Sequence, residues 1–179
     1  MQADDLSQAV DLGMAMKMGM RRLASGVCVL STRDEQGIPF AMTVSSVTSV
    51  SDSPASLLVC VNKQVALEGH LSTLGSPFVV SILAHDQQGV SNLCAGFAGE
   101  DRFAEGDWQD NEQNLPYLAD AQAVFFCESD QVSSYGTHHI VIGKITSVRM
   151  SSLSVDPLLY VDGGYAAIAR DAHGEGQGS

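Results

Sequence analysis

Positive charge is scarce in this chain: nine Lys and Arg stand against 21 Asp and Glu, a formal net charge of −12 over 179 residues. With no basic cluster to exchange for phosphate counterions, a role on nucleic acid or on an anionic lipid surface is disfavoured. Long apolar runs are missing as well. None approaches the roughly 20 residues a membrane span requires, and the opening MQADDLSQAV has no basic segment leading into an apolar one. These two absences lead to the expectation of a cytoplasmic protein. Cysteine is sparse and scattered, at Cys28, Cys60, Cys94 and Cys127, with no C-x-x-C to hold zinc or run dithiol chemistry. Buried free thiols are expected and a metal site is not. Neither G-x-G-x-x-G after a strand nor G-x-x-x-x-G-K-S/T occurs, so a bound nucleotide would need a mode other than the Rossmann fold or the P-loop.

What is present belongs to a globular protein: 45% hydrophobic and only 17% charged residues. One domain over residues 1–170 is expected, followed by a polar, Gly-rich, flexible tail at 171–179. Leu6, Val10, Met14 and Met18 recur every fourth residue, with Asp4, Asp5 and Ser7 as capping candidates. That spacing predicts an N-terminal helix packing its methionines against the body. Residues 27–32 and 38–42 are β-prone around the turn signal at 34–37, which predicts a hairpin. Residues 56–61 read as a fully buried strand, 65–74 as a short helix and 78–83 as a strand. Val90, Leu93 and Phe97 predict a helix over 86–97 with Asp86 as its N-cap. Residues 100–117 are polar and turn-rich, and read as a long surface loop around Trp108, the only tryptophan. Strands follow at 123–128 and 138–150, then a short pair, 158–160 and 165–168, joined through Asp162, Gly163 and Gly164. Many short strands with few helices favour an antiparallel barrel or sandwich, a mainly β fold.

Three polar clusters interrupt the apolar segments. Thr43, Val44, Ser45 and Ser46 form one, and alternation places Thr43 and Ser45 on one face of a strand. Their hydroxyls could hold a ribityl chain, a phosphate or a ring edge, or simply form the wet face of an ordinary strand. Cys60, Val61, Asn62 and Lys63 end a buried strand, where an amide and a cation can meet a phosphate as readily as solvent. Gly136, Thr137, His138 and His139 precede an apolar strand. Adjacent strand residues face apart, so only one of the two histidines can look into a given pocket, and the pair is a poor metal site.

Taken in order, the segments 41–46 (AMTVSS), 49–51 with Pro54, 57–62 (LLVCVN), 78–83 (FVVSIL), 101–103 (DRF), 135–138 (YGTH) and 157–160 (PLLY) with Gly163, Gly164 and Tyr165 resemble the short-chain flavin reductase family. Among its members is the reductase component of 4-hydroxyphenylacetate monooxygenase. The resemblance covers about residues 18–168. It implies an FMN-binding split β-barrel, a homodimer, and an NADH- or NADPH-dependent reduction of FMN or FAD that supplies a partner monooxygenase. By the same resemblance Thr43, Val44, Ser45 and Ser46 lie along the flavin ring and ribityl chain. Cys60, Val61, Asn62, Lys63, Ala66 and Leu67 wrap its tail, and Cys94, Ala95 and Arg102 are further flavin neighbours. His138 takes the catalytic position beside the nicotinamide, orienting it or its pyrophosphate, and Tyr165 closes the pocket. Two positions depart from the pattern: Thr137 stands where many relatives have Asp, and Val65 stands where relatives often carry a hydroxyl for the flavin phosphate. Backbone N–H groups, Lys63 or Arg102 are then expected to hold that phosphate. Two alternatives stay open on the sequence: a non-catalytic flavin- or haem-holding barrel, and a barrel that reduces a corrinoid, nitro or quinone acceptor.

Overall fold

The computed structural model describes residues 11–65, 68–96 and 101–169. Leu6 and Val10 of the expected helix, Ala66 and Leu67 of the expected site, and the tail at 171–179 lie outside these. The chain opens with helix α1 (Leu12–Met20), capped by Asp11, whose carboxylate accepts from the Gly13 N–H. There follow β1 (Ser25–Gly26), β2 (Cys28–Arg33), β3 (Pro39–Val44), β4 (Val47–Asp52), β5 (Ala55–Asn62) and the short helix α2 (Glu68–Leu71). Next come β6 (Pro77–Ile82), helix α3 (Gln88–Ala95), β7 (Trp108–Asp110) and β8 (Pro116–Leu118). The last strands are β9 (Ala123–Tyr135), β10 (His138–Met150), β11 (Leu159–Val161) and β12 (Gly164–Ala166).

Seven strands form one antiparallel sheet in the order β3-β2-β6-β9-β10-β5-β4. Its two edges, β3 and β4, are consecutive in sequence and share the Ser45-Ser46 corner, yet no ladder joins them among the described residues. This is the seam of a split β-barrel. β1, β11 and β12 make a separate three-stranded sheet beside it, and β7 pairs with β8.

Alternation sorts the core into two layers. Leu30, Leu57, Val59, Val61, Phe78, Val80 and Val141 pack in one cluster, while Val29, Val79, Val124 and Phe126 face the other way onto Val90 and Cys94 of α3 and onto Leu115, Tyr117 and Leu118. β2 and β6 are therefore covered on both faces, which is why consecutive residues, Cys28 to Thr32 and Phe78 to Ser81, are all buried. Full burial of a Phe78 or Leu30 side chain is worth roughly 1.5–3 kcal/mol each.

Five expectations need correction. Residues 100–117 are more than a surface loop: the β7–β8 hairpin covers the second core layer, Trp108 packs on it at 4.7 Å from Phe103, and the buried Ser31 hydroxyl donates to the Pro116 carbonyl. Strand β9 runs on to Tyr135 because β10 pairs with it well past the apolar stretch. Helix α2 spans only Glu68–Leu71. The N-cap of α3 is Gln87, whose side chain instead accepts from the Ala84 N–H, and Asp86 is exposed. Helix α1 buries none of its residues, and Met14, Met16, Met18 and Met20 are each more than half exposed. Apolar side chains every second residue ring a helix instead of forming one stripe, so no single face is suited to the barrel wall. Among the described residues no helix is long and apolar enough to cross a membrane.

Candidate functional site

Beside the barrel seam, the polar residues of edge strand β3 meet helix α3. Thr43 donates its hydroxyl to the Ser91 carbonyl at 2.6 Å, tying the edge strand to the helix. From the other side, the Tyr165 phenol of β12 lies 2.9 Å from the Ser91 hydroxyl and 2.7 Å from the Asn92 side-chain oxygen. Between these elements opens a cavity of about 370 Å³ lined by Thr43, Ser45, Ser91, Asn92, Ala95 and Tyr165, with Val27, Tyr160, Gly163 and Gly164 completing the wall. Thr43 and Ala95 also line a second cavity of about 520 Å³, whose other walls are Phe40, Met42, Gln64, Val65, Cys94, Gly96 and Arg102. Both volumes lie in the range typical of small-molecule sites.

Alternation along β3 holds as expected, with Thr43 and Ser45 on the cleft side and Val44 turned into the core. Ser46 is committed elsewhere, since its hydroxyl donates to the Cys60 carbonyl and accepts from the Cys60 N–H, stitching the seam corner to β5. Val61 is buried in the barrel core. Cys94 donates its thiol weakly to the Arg102 carbonyl, and burial pushes its pKa up to about 12, against a smaller opposing pull from Arg102. The same burial raises Cys28 and Cys127 to about 12, so these thiols are neutral packing groups at physiological pH.

Arg102 lines the second cavity while bonding the fold together. One guanidinium nitrogen donates to the Ala41 and Cys94 carbonyls at 2.6 and 3.1 Å and another to the Gly96 carbonyl at 3.0 Å, and the group lies 4.8 Å from the Phe40 ring centre. β3 and the end of α3 are thus clamped by one cation.

A second group sits at the far end of β5. Asn62 pairs with His138 across the β5–β10 ladder. Asn62 accepts from the Gln64 N–H in a local turn, and Lys63 donates its ammonium to the Gly136 carbonyl at 2.9 Å and its backbone N–H to the Thr137 carbonyl. The Thr137 hydroxyl lies 2.9 Å from His138 Nδ1, and His138 is exposed. Its Nε2 has no partner among the described residues. Neither seam cavity includes Asn62, Lys63 or His138. The expected site residues therefore fall into two groups in one chain. No cluster of three or more His, Cys, Asp or Glu gathers among the described residues.

Ser91 and Asn92 line the first cavity without having been singled out in the sequence, and Tyr160, which the sequence marks only as part of the 157–160 segment, lines it too. Ser91 precedes Cys94 and Ala95 by three and four residues, so the helical spacing that relates those two to a cleft also points to Ser91.

The family model described as "Flavin reductase like domain" matches residues 20–169. The reductase component of FADH(2)-dependent resorcinol hydroxylase from Rhizobium sp. (strain MTP-10005) is 37% identical over 161 residues, covering 87% of each chain. The FMN reductase (NADH) RutF of Enterobacter cloacae is 39% identical over 131 residues, 73% of this chain and 79% of that one. Among solved structures, the NADH:FAD oxidoreductase of Streptomyces globisporus C-1027 in complex with NAD and FAD fragments superposes with a TM-score of 0.82 at 27% identity, over 93% of this chain and 99% of that one. Split barrel, seam cleft and a match over residues 20–169 agree: the chain belongs to the flavin reductase-like domain family.

Proposed function

We propose that this protein is an NAD(P)H:flavin oxidoreductase that reduces FMN or FAD and passes the reduced flavin to a partner monooxygenase. The observation that carries this reading is the chemistry of the seam cleft. Apolar Val27, Ala95 and Tyr160 stand beside hydroxyl and amide groups from Ser45, Ser91, Asn92 and Tyr165. A flat heteroaromatic ring with carbonyl and N–H edges and a hydroxylated tail fits that lining, because its faces need apolar cover and its edges need donors and acceptors. Ser45 has no hydrogen-bond partner among the described residues, which leaves its hydroxyl available to a ligand.

When bound, the nicotinamide gives up a hydride that the flavin accepts, so the protein's own work is placement and exclusion of competing reactions. Thr43 and Tyr165 hold the cleft walls together through Ser91 and Asn92, and Ser45 contacts the flavin. Asn62 holds the flavin tail, with Lys63 fixing the turn that precedes His138. His138 orients the nicotinamide. Cys94 and Arg102 shape the second cavity. NADH is the favoured donor, since two of the relatives above carry NADH in their names, one paired with FMN and one with FAD.

The assembly in this reading is a homodimer. Helix α1 carries apolar side chains on more than one face and buries none of them, a surface that a second copy of the chain would cover. The compartment is the cytoplasm, where four free cysteines stay reduced. Oxidation of NADH and NADPH by the purified protein, with and without added FMN or FAD, tests the function. Strong stimulation by at least one flavin is expected, and none with any of the four pairings would overturn it.

A further inference from the structure

We propose that Arg21 is a positioning residue for the cleft, clasping the Asp162-Gly163 turn so that Gly163, Gly164 and Tyr165 stay in place on the cleft wall. The proposal rests on reading the seam cleft as the nucleotide site. Strands β11 and β12 are three residues each, and the two residues between them have left-handed backbones, φ 51° at Asp162 and 81° at Gly163. Asp-Gly with both residues at positive φ makes a tight hairpin turn of the favoured kind. Yet so short a hairpin is marginal alone, and β1 supports it through only two residue pairs, both on β11. β12, which carries Tyr165 into the cleft, is the open edge of that small sheet.

Arg21, the C-cap of α1, secures the turn end. Its carbonyl accepts from the Asp162 N–H at 2.7 Å, and its guanidinium donates to the Asp162 carbonyl at 2.9 Å. The guanidinium also covers the open side of Gly163, where a Cβ would come within 2.3 Å of Nη2 and 3.1 Å of Cζ. The accompanying ion pair, 3.5 Å between Nε and an Asp162 carboxylate oxygen, is exposed on both partners and contributes little. The clasp is therefore made by bonds to the turn's main chain and by contact with Gly163. Tyr165 stands two residues beyond that turn, and its phenol reaches Ser91 and Asn92. Loss of the clasp frees the segment that shapes the cleft while leaving both core layers intact.

The test uses the full chain and two readouts: amide hydrogen exchange over residues 160–166, and separate flavin and NADH titrations. Arg21→Ala is expected to speed exchange in that hairpin and to raise the KM for flavin by about 3- to 10-fold with kcat within about twofold, while β2, β6 and β9 keep their protection. Arg21→Lys, which can still donate to the Asp162 carbonyl, should fall between. Asp162→Asn, which loses only the ion pair and suits a left-handed backbone, should stay within about twofold of wild type. Unchanged hairpin exchange in Arg21→Ala overturns the clasp. Faster exchange without a rise in KM overturns its positioning role, as does equal loss of protection in every strand. A wild-type protein that reduces no flavin counts against the proposed function, and the exchange arm alone then decides whether the clasp exists.

Discussion

At the scale of single residues, the chain holds two polar groups apart. Ser45 lies in the cleft, whereas Asn62 and His138 face each other across the β5–β10 ladder. If Ser45 and Asn62 serve the flavin and His138 the nicotinamide, Ser45→Ala and Asn62→Ala raise mainly the KM for flavin, and His138→Ala raises the KM for NADH or lowers kcat. A lost hydrogen bond to a neutral partner is worth roughly 0.5–1.5 kcal/mol and to a charged one about 1.5–3, so effects from ~2-fold to ~150-fold are the expected range in steady-state kinetics. His139→Ala is the control, since adjacent strand residues face apart. Impaired NADH use in His139→Ala but not in His138→Ala would show that the nicotinamide lies on the other side of the strand.

At the scale of elements, packing density decides. Gly143 lies beside a register shift between β10 and β9, where a Cβ would sit 2.4 Å from the ring tip of the fully buried Phe78 and 3.2 Å from the Cβ of Cys127. Gly143→Ala is expected to cost about 1–3 kcal/mol of stability by overpacking. A change under ~0.5 kcal/mol in denaturant unfolding would show that the barrel interior yields there. The elements legible in the sequence are those whose pattern is local: the β2–β3 hairpin around its turn, the apolar runs of β5 and β6, and the whole of β10. Those that are not legible depend on contacts far along the chain. β7 and β8 look like loop because Asp107 to Asn114 is polar apart from Trp108, and the packing of Trp108, Leu115, Tyr117 and Leu118 on the core layer of β2, β6 and β9 makes them structure. In the site, the alternation of Thr43 and Ser45 is readable. The joint commitment of Ser91 and Asn92 to Tyr165 is not, because it links residues 73 and 74 positions apart. Nor is the use of Arg102 as a clamp on three carbonyls, since a lone arginine in a polar stretch gives no sign of its acceptors.

At the scale of the whole molecule, helix α1 and the reaction make separate demands. The helix exposes Leu12, Met14, Met16, Met18 and Met20, a surface that a second copy would cover. Sedimentation should give a dimer at micromolar concentration, and Met14→Glu with Met18→Glu should shift it toward monomer. A wild-type monomer with full activity would contradict the assembly. The reaction itself is tested most directly by mixing the protein with NADH and oxidised FMN or FAD without oxygen, following both chromophores together. The flavin is expected to lose its visible absorbance only when the protein is present, one NADH being consumed for each flavin reduced. NADH consumption that leaves both flavins oxidised, or no consumption at all, would contradict the assignment as a flavin reductase.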